Sequence, residues 1–258
     1  MTYAHRKDIY DADTHMMERP DWIVEFADKE IKNQLEPFVE GDKGTLTRID
    51  KAISNFNERN SSQTVLNKAK EEFMGWNHKG WDGLGAFDSK ERKLANDLLG
   101  FKGHIVFPTS AFDQVIAAKS DAVVMGGINA LNRGMAAFCS GDSRMHGAAY
   151  IPFQFGAEIA LEYLQEAIKN DFSVILIDTI PPTGGKSFTH SDYDIVWKEI
   201  EDFDISINER TILKNIKENK NFHDENGTFQ RIKYEKFLLS NNLSAPIFEL
   251  QLKNRELQ

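Results

Sequence analysis

Strand-like and helical segments alternate between residues 8 and 207, and that alternation constrains the fold more than any other feature of the chain. Four short apolar runs rich in Ile, Val, Phe or Tyr read as strands buried on both faces: residues 8–13, 104–108 (HIVFP), 148–153 (AAYIPF) and 173–178 (SVILID). Helical patterns lie between them. Residues 89–99 place Leu94, Ala95, Leu98 and Leu99 on one side, with Asp88 and Glu91 at capping-box spacing and Gly100 placed to stop the helix. Residues 115–138 read as a second helix, in which Gly126, Gly127 and Gly134 predict close packing on a neighbour. A third, 157–169, carries a continuous apolar flank, and Ser191 with Asp194 opens a fourth. Parallel strands joined by right-handed crossovers satisfy this order, so the fold class is α/β.

A (β/α) barrel of eight units takes about 250 residues, and the chain has 258. Four βα units and a candidate fifth strand at 204–207 already use the residues up to 207. Of the 17 glycines, 16 precede residue 208 and only Gly227 follows it, so the remaining segment is poorly equipped for the positive-φ turns that further units need. The expected architecture is therefore an incomplete (β/α) TIM-type barrel of four to five parallel βα units over 1–207, followed by an atypical Asn/Lys-rich tail at 208–258. Within the first part, residues 21–82 read as a polar, mostly helical insertion placed as a lid or wall.

Composition narrows the partners. With 31 Lys+Arg against 40 Asp+Glu and a net charge of −9, no general attraction to nucleic acid or anionic lipid is expected. The lone Cys139 forms no internal disulfide, the start of the chain has no apolar leader, and charged residues interrupt every apolar run. A cytoplasmic protein acting on a small molecule is the simplest expectation.

The chemistry concentrates at the end of the first strand, in Asp11-Ala12-Asp13-Thr14-His15. Strict alternation puts Asp11, Asp13 and His15 on one face, toward the axis if the strand lines a barrel. A carboxylate and an imidazole two residues apart at the mouth of a parallel sheet can chelate a divalent metal. An Asp-rich turn with a helix cap accounts for the same string, and the residues alone leave both readings open.

The string DADTHMMERPDW resembles the first-strand signature of the amidohydrolase-related family, in the branch that includes aminocarboxymuconate semialdehyde decarboxylase. The similarity continues through ANDLLGFKGHIVFP (95–108), ALNRGMAAFCSGDSRMHGAAYIPF (130–153) and the segment 157–197 with its Tyr-Asp-x-x-Trp. The resemblance implies a metal-binding barrel in which Asp13 and His15 are ligands of zinc or manganese and Asp11 supports them. Hydrolysis or decarboxylation of a small carbonyl or carboxylate compound is the implied chemistry.

The second half of the family pattern is missing. Family members end the fifth strand in a histidine ligand and use an aspartate after the eighth, whereas the candidate fifth strand here reads FDISIN, and His223 stands in the polar NKNFHDENG. A catalytic zinc keeps about three protein ligands and an open position. Either the tail or another chain completes the site, or the chain is a truncated relative that has lost the metal and its activity, an open half-barrel whose uncovered edges and face predict self-association. Other candidates are weaker on their residues. His190 reads as a loop histidine near a cap, and PPTGGKS (181–187) lacks the full Walker spacing. Cys139 reads as a packed thiol. Trp76, His78 and Trp81 form an aromatic cluster that walls a pocket or merely pins the insertion.

Overall fold

The computed structural model describes residues 2–4, 9–35, 43–75, 80–177, 186–203 and 206–207. The tail expected at 208–258 and the loop 178–185 lie outside the described residues, as do Trp76, His78 and His223. Among the described residues there are five strands: β1 (Tyr10–His15), β2 (Gly103–Phe107), β3 (Met145–Ile151), β4 (Val174–Ile177) and the short β5 (Ser206–Ile207). They pair in parallel and in sequence order, β1-β2-β3-β4-β5. A doubly wound sheet reverses its strand order part-way, so an unbroken order is that of a barrel wall. The sheet is a curled half-barrel, a partial α/β fold of TIM type.

Each face of the sheet carries its own apolar layer. Val106, Met145, Ala149, Ile151, Ile175 and Ile177 look outward into the main core with the crossover helices. On the other face Phe107, Ala148 and Val174 are buried, with Ile105 and Leu176 half-buried beside them, and Tyr150 shares the side of Ala148 and is buried as well. Alternation along β2, β3 and β4 produces this division, as expected for strands with period two.

The helix α5 (Ser89–Leu99) starts on Asp88, whose side chain accepts the Glu91 N–H at 2.8 Å, and stops at Gly100, where φ is 72°. The second half of the capping box is absent. The Glu91 carboxylate instead takes Arg59 Nε at 2.6 Å and Arg59 Nη2 at 3.0 Å, with the Gly85 N–H at 2.8 Å, in a buried ion pair between the insertion and α5. The expected helix over 115–138 is two helices, α6 (Ser110–Ile116) and α7 (Asp121–Cys139). Ser120 separates them because its hydroxyl accepts the Val123 N–H at 3.4 Å, a start signal overlooked in the apolar periodicity. The helices α8 (Ala157–Lys169) and α9 (Asp194–Asp202) follow β3 and β4.

In the insertion, α1 (Trp22–Phe26) and α2 (Lys29–Lys32) pack on α7, while α3 (Lys43–Ser61) packs on α4 (Gln63–Met74) and α4 on α5. Gly134 of α7 admits the Trp22 indole: a Cβ there would lie 2.6 Å from two ring carbons. Among the described residues no helix is long and apolar enough to cross a membrane.

Candidate metal centre

At the end of β1 a bulge decides which side chains face the inside of the half-barrel. Asp11 pairs with His104 and Thr14 with Val106, so three steps on β1 match two on β2. Asp11 and Thr14 therefore share the outward face of Val106. His15 pairs with Phe107 on the inward face, the two rings 5.8 Å apart. The expected common face of Asp11, Asp13 and His15 is thus corrected. Asp11 points away and serves the backbone, its Oδ1 accepting the Asp13 N–H at 3.0 Å within the bulge.

Asp13 and His15 do come together. Oδ1 of Asp13 lies 3.5 Å from Nε2 of His15, and both side chains are about two-fifths exposed at 42% and 43%. Two donors on one tetrahedral zinc, each at about 2.1 Å, stand about 3.4 Å apart. The pair therefore fits two positions of such an ion as it stands. A mixed nitrogen and oxygen set also suits zinc or manganese. Among the described residues, no group of three or more His, Cys, Asp or Glu side chains is gathered to hold a metal. The described site brings together two groups, Asp13 and His15, that could donate to an ion.

The surroundings fix this pair from behind. Arg92, rising from α5, donates to the Gly85 carbonyl (2.7 Å), Thr14 Oγ1 (3.3 Å) and the His15 carbonyl (2.7 Å). Burial lowers its pKa to about 10, which still leaves a cation at neutral pH, and its guanidinium lies 5.5 Å from the Phe138 ring centroid. On the other side Pro108 O and Thr109 Oγ1 stand 3.3 and 3.2 Å from His15 Nδ1. Glu18, only 1% exposed, accepts the Thr109 and Ser110 N–H groups at 2.8 and 2.9 Å, and burial raises its pKa. Glu18, Arg92 and Thr109 escaped the sequence reading. The contacts that tie Arg92 to Thr14 and His15, and Thr109 to His15 and Glu18, each span more than seventy residues, beyond the reach of a local pattern.

The remaining candidates are local. His190 Nδ1 accepts the Asp192 N–H at 3.2 Å, which makes it a turn cap. Of the PPTGGKS string only Lys186 and Ser187 are described, and Lys186 pairs with Asp192. Burial pushes the Cys139 thiol up to about 12, consistent with a packed, inert group. Trp81 donates its indole N–H to the Glu18 carbonyl at 3.0 Å and so stands beside the mouth.

No family model matches this chain, and no curated protein matches it. Among solved structures, an amidohydrolase from Mycobacterium avium subsp. paratuberculosis K-10 matches with a TM-score of 0.54 at 14% identity, over 78% of this chain. The fold is amidohydrolase-like. The match covers 57% of that neighbour, so the chain spans little more than half of it. At this identity the likeness concerns the fold alone.

Proposed function

We propose that this chain is a metal-dependent hydrolase of the amidohydrolase type, acting on a small carbonyl or carboxylate compound at the mouth of the half-barrel. The observation that carries the reading is the 3.5 Å approach of Asp13 Oδ1 and His15 Nε2 at the carboxyl end of β1. In barrels of this kind the reacting groups stand at that end. The finer assignment, to the aminocarboxymuconate semialdehyde decarboxylase-like branch, rests on the DADTHMMERPDW string and keeps decarboxylation as the alternative reaction.

Each residue has a part in this scheme. Asp13 and His15 bind the ion, zinc or manganese, and Asp11 and Arg92 hold the backbone that presents them. Phe107, Ala148 and Val174 form a dry floor beneath. A divalent ion held there supplies Lewis-acid polarisation of a substrate oxygen or of water. The further ligands come from residues outside those described or from a second copy of the chain.

A second reading, a truncated relative without activity, is favoured by the lack of a third ligand among the described residues. Metal analysis of the purified full-length chain separates the two. Our proposal expects about one divalent ion per chain, lost in Asp13→Ala and in His15→Ala. A wild-type chain that stays metal-free after incubation with zinc or manganese leaves only the second reading.

A further inference from the structure

We infer that Thr109 and Glu18 are positioning residues that hold His15 as its Nδ1–H tautomer, so that the Nε2 lone pair is turned toward Asp13. The metal consequence rests on the function proposed above, whereas the tautomer does not.

The assignment follows from counting protons. The Thr109 hydroxyl owns one, and the Met16 carbonyl oxygen, 2.7 Å away, can only accept. That proton is therefore committed to Met16. The hydroxyl oxygen meets His15 Nδ1, at 3.2 Å, with a lone pair. Pro108 O, 3.3 Å from the same nitrogen, is likewise an acceptor without a proton. Two acceptors converge on Nδ1, so Nδ1 carries the hydrogen. A neutral imidazole has one ring proton, and Nε2 is left with a lone pair 3.5 Å from the Asp13 carboxylate.

Glu18 keeps the arrangement in register. Its Oε1 and Oε2 take the Thr109 and Ser110 N–H groups, and its own carbonyl takes the Trp81 indole. Met16 N–H reaches the Phe107 carbonyl at 3.0 Å and Met17 N–H the Ala86 carbonyl at 2.8 Å. The segment after β1 is thus tied to both neighbouring loops. A buried carboxylate without a cation is an expensive way to tie two loops, and an apolar contact would serve stability better. Its gain is a fixed direction for Thr109. Ligand histidines in metal sites depend on such a partner at the other ring nitrogen, and its loss typically weakens metal binding about 10–100-fold.

The test is imidazole 15N NMR of His15 in the metal-free full-length chain, assigned by the signal missing in His15→Asn and followed to its alkaline plateau. Wild type is expected to show the Nδ1–H tautomer. Thr109→Val, which keeps the shape and loses the hydroxyl's contacts with His15, Met16 and the Met17 sulfur, is expected to show a mixed tautomer and zinc binding weakened about tenfold or more. Thr109→Ser is expected to restore both, and Glu18→Gln to behave as Thr109→Val where it folds. An Nε2–H signal in wild type, or an unchanged tautomer in Thr109→Val, overturns the inference. If the tautomer follows these expectations while no variant or wild type binds zinc, the positioning role stands and the metal reading falls. If zinc binds wild type and Thr109→Val alike, the metal reading stands and the positioning role falls.

Discussion

The two ends of the sheet handle buried charge in opposite ways. At the amino ends of the strands Asp142, 8% exposed, takes Arg144 through Nε at 2.9 Å and Nη2 at 2.6 Å, and takes Asn96 Nδ2 at 3.2 Å. Arg144 in turn reaches Asp97 at 2.6 Å. Both carboxylates of this cluster, Asp142 and Asp97, are paired with Arg144. At the carboxyl ends Glu18 is buried on backbone N–H groups, with no cation paired to it among the described residues, and Asp13 and His15 are left half-exposed. The contrast separates a closed ion-pair cluster, which contributes stability, from a solvent-open pair, where the proposed chemistry would take place.

The largest effect is expected at the closed end. Asp142→Ala leaves Arg144 without its nearest partner and Asn96 Nδ2 without an acceptor, and a loss of about 3 kcal/mol is expected by chemical denaturation. Arg144 is partly exposed and retains Asp97, so the loss falls at the lower end of the range for buried pairs. A loss under about 1 kcal/mol would erase the distinction between the two ends.

The two ends also differ in the sign of their pH dependence. The Arg144 guanidinium holds the Asp142 carboxyl well below its ordinary 3.8. A depressed folded-state pKa gives stability that is present above about pH 4 and is lost as pH falls through the folded value. Glu18 runs the other way. Burial raises it above 4.5, so the folded chain keeps that proton longer than the unfolded chain does, and stability from this group declines as pH climbs past about 4.5. Melting temperature against pH should therefore lose its acid limb in Asp142→Asn and its decline above pH 4.5 in Glu18→Gln. The glutamine also sets an amide NH2 against a backbone N–H, and we expect a uniform offset of about 1 kcal/mol. A Glu18→Gln profile parallel to wild type throughout would mean that this carboxylate is not costly where it sits.

Much of this division is legible in the sequence, and what is not has a physical cause. The strands β2 and β4 and the helices α5 and α8 follow from local apolar periodicity and caps, which act within a turn or two. The approach of Asp13 and His15 is legible because they are two apart on one strand. The bulge is not, since an Asp-rich stretch reads as the end of a strand, and β1 runs Tyr10–His15 where 8–13 was expected. The ties of Glu18 to Thr109 and of Arg59 to Glu91 span 91 and 32 residues. No local pattern encodes a contact across such a separation, because it is set by where the crossovers bring the loops. The same limit applies to the Asn96 contact of Asp142, which spans 46 residues, although Arg144 stands only two residues from it.

The smallest effect is expected at the open end, and it sharpens the comparison most. Asp13 and His15 are 42% and 43% exposed, and their contact is a solvent-screened pair worth about 0–1 kcal/mol. Asp13→Ala should therefore move the denaturation midpoint of the metal-free chain by no more than about 0.5 kcal/mol in free energy, and raised salt should shrink even that difference. The backbone is not implicated, because Asp11 accepts the residue-13 N–H whatever the side chain. A metal-free Asp13→Ala chain as damaged as Asp142→Ala would show that the mouth is built to hold the fold together. The assignment of stability to one end and reactivity to the other would then fail at the residue on which the proposed chemistry depends.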